Sequence, residues 1–211
     1  MFKKLIEDDM ETKREKKRED LRNRLIDAAE ATISEKGLRG LKARDVTAKA
    51  GCALGALYNA VEDLDQLIML VNSRTLAKLG NALKQAIPKN ASPTDTMQSL
   101  AGAYVAFALE QTQLWSAVFN HKLSEDTVVP DWHTAEYPVL ISEIIAPLSK
   151  LRPDLEPDAL TLRAQTIFAS VHGVVQLAIH GRFVGTPLSL LASEVAALVD
   201  AMTRGIHLVS K

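Results

Sequence analysis

Apolar residues recur along this chain at the three- and four-residue spacing of amphipathic helices, and no segment alternates as a half-buried strand would. The pattern predicts a first helix over 18–36, ended by Gly37. One face of this helix is apolar: Leu25, Ala28, Ala29, Thr32 and Ile33. Residues 1 to about 18 are dense in charge, and we expect them to be frayed. The fold class predicted from this pattern is all-α.

A long helix is predicted over 64–87, because Asp63 and Gln66 form a capping box before a leucine-rich stretch. Residues 88–93 break the helical pattern with two prolines. Further helices are expected near residues 94–111, 113–123, 136–150, 158–183 and 188–209.

Between the first and the long helix, residues 39–59 predict a helix-turn-helix. Val46 and Ala50 share one face of a short helix, and Gly51 can adopt the positive φ that stops it. A second short helix starts near Ala53 and carries Leu57 on its buried side. In this geometry the second helix enters the major groove of DNA.

Charge supports this interpretation. Residues 1–87 hold 17 Lys and Arg against 14 Asp and Glu, whereas residues 88–211 hold 8 against 12. Lys13 to Arg24 alone contains 7 basic and 3 acidic residues, so it forms a basic arm before the helix-turn-helix. The arm can follow the DNA backbone or reach a minor groove, or it can be a solvated helix start.

Other classes of protein are disfavoured. Cys52 is the single cysteine, which excludes an internal disulfide. The charged start is unlike a signal peptide, and residues 164–181 are too polar for a membrane span, so we expect a cytoplasmic protein. The five histidines form no HxxxH or HxH pair, and the chain holds no Gly-rich phosphate loop. We therefore expect neither a metal or cofactor nor an enzyme.

The helix-turn-helix resembles that of the TetR family of bacterial transcriptional regulators. The resemblance covers about residues 21–72 and rests on matching spacing: Ala28-Ala29, Gly37, Val46, Ala50-Gly51, Gly55, Leu57-Tyr58 and Leu67. It implies a DNA-binding domain over residues 1–68 and a helical effector-binding and dimerisation domain over residues 69–211. Val171-His172-Gly173 also resembles the Trp-His-Gly motif of one class of TetR C-terminal domains.

Several positions depart from the family pattern. Ala53 replaces a Ser and so removes an N-cap, and Ala56, Ala60 and Leu64 replace residues that commonly contact phosphate. We expect the basic arm to compensate. The candidate DNA-binding residues are Arg18, Arg22, Arg24, Lys42, Arg44, Ala53, Leu54, Gly55, Tyr58 and Asn59.

The second half carries an uneven supply of aromatic residues, which suits either a core or an effector pocket between helices. The candidate ligand-binding residues are Tyr104, Phe107, Trp115, Phe119, Trp132, Phe168, His172 and Gln176. A second apolar set near the C-terminus exceeds what a small domain needs and predicts a homodimer interface: Leu188, Leu191, Val195, Leu198, Val199 and Met202.

Together these features predict a ligand-responsive transcriptional repressor. We expect a homodimer that binds a palindromic double-stranded DNA operator and is released by a small apolar or aromatic effector. The alternative is a helical protein–protein adaptor whose helix-turn-helix no longer binds DNA.

Overall fold

The computed structural model describes residues 2–123, 130–134, 138–181 and 184–204, and in these ranges the regular structure is helical throughout. The all-α prediction is confirmed for this part of the chain. A short 3₁₀ turn spans Leu38–Gly40. The α-helices are α1 Phe2–Lys36, α2 Ala43–Lys49, α3 Leu54–Ala60, α4 Leu64–Ala86, α5 Pro93–Glu110, α6 Thr112–Asn120, α7 Asp131–Thr134, α8 Pro138–Leu151, α9 Pro157–His180 and α10 Leu191–Arg204.

The first helix begins at Phe2, well before the start predicted at residue 18, and fraying of its first residues stays a prediction. α1 runs without a break from Phe2 to Lys36. This segment contains no Gly or Pro, and it is rich in Lys, Arg and Glu, which have good helix propensity. Arg24 Nε also pairs with Asp20 Oδ2 at 3.2 Å, one turn away.

Helix ends differ from prediction elsewhere. α9 stops at His180, where Gly181 adopts a left-handed conformation with φ of 58°. α10 begins at Leu191 rather than at 188, because a turn closes on Pro187 through a 2.9 Å bond from the Leu190 amide. The short α7 was not predicted. The predicted ends at 183 and 209 lie outside the described residues.

The helices pack into two compact units, and the division falls between Thr75 and Leu76 inside α4. The first unit contains α1 to α3, the start of α4, and the chain from Gln113, so it includes α6. Its core combines Leu25, Ile33, Val46, Leu57, Leu67 and Leu114. The boundary that the sequence predicted between residues 68 and 69 also falls within α4. The assignment of DNA binding to one side of it and effector binding to the other stays a prediction.

Within the first unit, polar contacts connect its helices. Asn72 Nδ2 donates to the Ala117 carbonyl at 3.4 Å, which joins α4 to α6. Arg74 pairs with Asp27 and lies 3.8 Å from Glu30, which joins α4 to α1. Sequence analysis placed α6 with the second domain, because its apolar face shows no sign of which unit buries it.

In the second unit, α5 packs on α8, α9 and α10, and α9 packs on α8 and α10. Leu191, Val195 and Val199 of α10 are buried in this unit's own core. The proposed C-terminal dimer stripe is therefore only partly available to another chain. Leu188 is 55% exposed, and Leu198 and Met202 are half-buried.

Candidate nucleic-acid interface and effector cavity

The helix-turn-helix is built on a small apolar core with a tight turn. Val46 and Leu57 are fully buried between α2, α3 and α1. Gly51 has a φ of 67°, a conformation that costs an L residue energy and that glycine adopts freely. The Cys52 amide donates to the Thr47 carbonyl at 3.0 Å and closes the turn. The predicted role of Gly51 is confirmed.

α3 carries the face that would meet DNA. Ala53 is its N-cap and offers no side-chain hydrogen bond, as the loss of a Ser predicts. Leu57 and Ala60 point into the core, whereas Leu54 and Tyr58 are 38% and 54% exposed. The Tyr58 ring is therefore available to a partner instead of being held against the core.

The candidate DNA contacts of the helix-turn-helix share one property, which is solvent exposure. The exposed residues are Lys42, Arg44, Ala53, Leu54, Gly55, Tyr58 and Asn59. A Cβ placed on Gly55 would meet nothing within 4 Å, so helix packing does not require this glycine. A role at the exposed surface therefore explains Gly55 better than a role in helix packing does. Contact with DNA stays a prediction for all seven.

The three arginines predicted in the arm are placed differently from one another. Arg18 is exposed and Arg22 is half-buried. Arg24 donates from Nη1 to the Ala50 carbonyl at 2.8 Å, at the C-terminus of α2. Together with its Asp20 pair, this bond gives Arg24 a structural role in holding the turn, which sequence analysis did not foresee.

The start of α4 is strongly acidic, and its polar groups form hydrogen bonds with neighbouring residues. The Gln66 amide donates to Asp63 Oδ1 at 2.7 Å, which confirms the predicted N-cap. The Gln66 side chain accepts from the Glu62 amide at 2.9 Å, one residue before the usual position of the box. Asp65 Oδ1 lies 3.0 Å from Nε2 of His121, a largely buried histidine that follows α6. Sequence analysis missed this contact, since the two residues are far apart in the chain.

The second unit contains a small apolar cavity that is partly open to solvent. Tyr104 of α5 and Phe168 of α9 contribute aromatic rings to its wall, and Glu143 of α8 is its one lining residue with a charged group, which pairs with Lys84 outside the lining. Aliphatic side chains form most of the rest: Leu83, Met97, Leu100, Leu140, Ile167 and Val199. A concave, mostly apolar space of this kind suits a small organic ligand.

Two of the predicted ligand-binding residues, Tyr104 and Phe168, line this cavity, and His172 contacts both of them without being part of the lining. Tyr104 and Phe168 pack edge to face with ring centroids 5.7 Å apart. His172 stacks on Phe168 at 5.9 Å, and its Nδ1 lies 2.8 Å from the Tyr104 hydroxyl. Burial lowers the pKa of His172 below its usual value of 6.5, which favours the neutral ring at pH 7.

The other predicted ligand residues are not among those that line the cavity. Trp115 is fully buried in the first unit, where Phe119 packs against it at 5.4 Å. Phe107 is buried in α5, Trp132 is 39% exposed, and Gln176 is half-buried one turn beyond His172. Aromatic content alone did not show which rings share a space.

Glu143 was missed, although the sequence carries a signal for it. It is the single charged residue between Pro138 and Ser149, in an otherwise apolar helix. A lone carboxylate in such a helix lies beside apolar surface whichever way the helix is turned. Among the described residues, no three His, Cys, Asp or Glu side chains gather as metal ligands.

Comparison with known families places the chain. A family model described as a tetracyclin repressor-like C-terminal domain matches residues 97–204, more than half of the sequence. The chain belongs to the TetR family of transcriptional regulators. Regulators of this family bind DNA and small-molecule effectors and are not enzymes. The more specific Trp-His-Gly class stays a prediction.

Solved structures share the TetR fold across nearly the whole chain. A Rhodococcus sp. RHA1 protein of unknown function is 24% identical, with a TM-score of 0.70, over 88% of this chain and 94% of that chain. FadR from Bacillus subtilis, solved with stearoyl-CoA, is 14% identical, with a TM-score of 0.65, over 87% and 98%. RolR, solved with resorcinol, is 22% identical, with a TM-score of 0.62, over 92% and 99%.

A sequence comparison with curated proteins finds no match for this TetR-family chain. Among the described helices, none combines the length and apolar character needed to cross a bilayer.

Proposed function

We propose that this TetR-family protein is a cytoplasmic homodimeric repressor that leaves its operator when a small, largely apolar molecule occupies the cavity of the second unit. The observation that carries the proposal is the pairing of an exposed helix-turn-helix face in the first unit with an apolar cavity in the second. Effector binding would shift the population toward head separations that no longer fit successive major grooves, roughly 34 Å apart.

On DNA, we assign base reading to α2 and α3. Arg44 is exposed at the start of α2, and an arginine can bind both acceptors of a guanine. Lys42 and Tyr58 are exposed and offer donors to phosphate oxygens, and Leu54 offers apolar contact to a thymine methyl. Asn59, also exposed, can donate to a base edge.

The basic arm should contact the DNA backbone rather than enter a minor groove. α1 is helical through the arm, and residues 13–20 are all exposed. A helix with its side chains is about 10–12 Å wide, whereas the minor groove of B-DNA is about 6 Å wide. Lys16, Lys17 and Arg18 therefore supply phosphate contacts that make affinity dependent on salt.

The dimer would use the outer face of α9 with the segment before α10. Leu162 is 65% exposed and Leu177 is 44% exposed, on the same side of α9. Gly173 lies between them, and a Cβ there would meet nothing within 4 Å of its own chain. Val184, Leu188 and Leu190 are also exposed. Apolar surface of this extent on a soluble protein marks an interaction site.

The effector class rests on the lining of the cavity. Nearly all of the lining is aliphatic or aromatic. Two proteins of the same fold were solved with stearoyl-CoA and with resorcinol, one largely aliphatic and one aromatic ligand. Both agree with an apolar or aromatic effector for this chain.

The test is recovery of bound genomic fragments by the purified protein, followed by titration of the recovered sequence at several salt concentrations. We expect one palindromic sequence to be enriched. Arg44→Ala should weaken its binding by about 1–3 kcal/mol and relax preference at one position. Arg163→Ala, in α9 of the second unit, is the matched control and should leave binding unchanged.

Absence of any salt-dependent DNA binding would contradict the repressor proposal. It would favour the adaptor alternative, which the absent phosphate-binding side chains at Ala56, Ala60 and Leu64 motivate.

A further inference from the structure

The cavity of the second unit offers a ligand a surface that is almost entirely apolar. Four of its lining residues belong to α5 and three to α9, and all seven lie inside those helices. Backbone amides inside an α-helix donate to carbonyls of the same helix. The amides of these two walls are therefore bonded within the helix and do not donate to a ligand.

Among the described residues that line the cavity, two have a side chain with oxygen, and each of these side chains pairs with a residue outside the lining. The Tyr104 hydroxyl lies 2.8 Å from Nδ1 of His172. Glu143 Oε1 lies 3.5 Å from Nζ of Lys84, whose side chain is largely exposed. The apolar cavity surface therefore consists of the Tyr104 and Phe168 rings and of aliphatic side chains.

Such a surface distinguishes a hydrocarbon from a hydroxylated molecule of the same shape. A hydroxyl that enters the cavity gives up its hydrogen bonds with water and meets no polar atom to replace them, which costs free energy. A methyl group in the same place loses no hydrogen bond and gains from leaving water. Ordered water needs about two to four polar partners, so a hydrocarbon does not have to displace firmly held water from this cavity.

We propose that the cavity selects a plain hydrocarbon, a ring or chain without hydroxyl, amine or carboxyl groups, and rejects the hydroxylated molecule of the same shape. This proposal rests on the proposed ligand-responsive function. It narrows the effector class from apolar molecules in general to hydrocarbons, because the cavity surface has almost no polar atom that could pair with a polar substituent.

The experiment compares three single-ring probes of nearly the same shape: m-xylene, m-cresol and resorcinol. Along this series, hydroxyl groups replace first one and then both methyl groups of the ring. Calorimetric titration of the full-length protein near neutral pH gives the three affinities. We expect m-xylene to bind about tenfold or more tightly than m-cresol, as when an apolar pocket receives an unpaired hydroxyl, and resorcinol to bind weakest.

A variant tests whether this cavity wall sets the preference. Val171 of α9 is buried and lines the cavity, so Val171→Thr places a hydroxyl in the wall at similar volume. It should weaken m-xylene binding and reduce the ratio of m-xylene to m-cresol affinity several-fold. Val105→Thr is the matched control, because Val105 is a buried valine of α5 in the same unit and is not a lining residue. The control should leave the ratio unchanged.

Equal binding of m-xylene and m-cresol, tighter binding of either phenol, or no binding of m-xylene would overturn the proposal. An unchanged affinity ratio in a folded Val171→Thr protein would overturn it too. DNA binding is measured on the same ligand-free preparation. Intact operator binding without the hydrocarbon preference refutes the effector class alone, whereas absence of any salt-dependent DNA binding refutes the proposed function.

Discussion

Substitution of Arg24 tests whether the inner end of the basic arm has a structural role or contacts DNA. Its guanidinium donates from Nη1 to the Ala50 carbonyl at 2.8 Å, although the two residues are 26 positions apart in the sequence. The Ala50 carbonyl lies at the end of α2, where helix carbonyls lack partners within the helix. Arg24→Met removes the donor and keeps an unbranched apolar side chain.

The expected loss of folding stability in Arg24→Met follows from the geometry of this hydrogen bond and from the exposure of the side chain. A hydrogen bond from a charged donor contributes about 1.5–3 kcal/mol, and partial exposure reduces this to about 1 kcal/mol. The side chain of Arg24 is 47% exposed, so water replaces part of the lost bond. For a chain of 211 residues, about 1 kcal/mol corresponds to a fall in Tm of roughly 2–4 °C.

Arg18→Met is the matched substitution, because Arg18 is exposed on the same helix and belongs to the outer arm. Thermal unfolding and DNA titration from 50 to 200 mM salt are measured for both variants. Arg24→Met should lower Tm and leave the salt slope nearly unchanged. Arg18→Met should keep Tm and reduce the slope of log affinity against log salt by about 0.9. The fall in affinity between 50 and 200 mM salt should then be roughly three- to fourfold smaller than for the unaltered protein.

The reasoning is refuted if Arg24→Met leaves Tm unchanged and reduces the salt slope as Arg18→Met does. Arg24 would then be a phosphate contact that leaves the Ala50 carbonyl when DNA binds. An unchanged slope for Arg18→Met would refute backbone binding by the arm.

Three further outcomes follow from the structure. Ala53→Ser restores an N-cap to α3 and should stabilise the protein by about 1 kcal/mol. Ala48→Ser, inside α2, is the control and should not stabilise it. Equal changes of Tm in the two variants would count against a missing cap. Leu177→Glu should convert the proposed dimer to a monomer, as measured by sedimentation. Leu109→Glu, at a comparably exposed position on α5, is the control and should leave the dimer intact. A Leu177→Glu protein that stays a dimer would rule out this face of α9. Since the pKa of His172 is lowered in the folded protein, stability should fall as pH drops below about 6.5, where the unfolded chain binds the proton. Replacing His172 with Gln should flatten the Tm profile from pH 7 to 5, and an unaltered profile would contradict this role.

Short-range features were readable because their physics is contained within a few residues. Gly51 ends α2 since only glycine adopts its backbone conformation without cost, and Asp63 caps α4 through an amide three residues on. The buried face of α3 follows from helical periodicity in the same way, with Leu57 inside and Tyr58 outside. The helix-turn-helix was therefore predictable in type and nearly in extent.

Only the tertiary structure decided which apolar faces meet. Periodicity shows that a helix has an apolar side, but burial is non-directional and does not name the partner. Hence Trp115 and α6 pack in the first unit, whereas in the second unit Tyr104 packs against Phe168 and His172. The bond from Arg24 to Ala50 likewise depends on two helices brought together by core packing, across 26 residues of sequence.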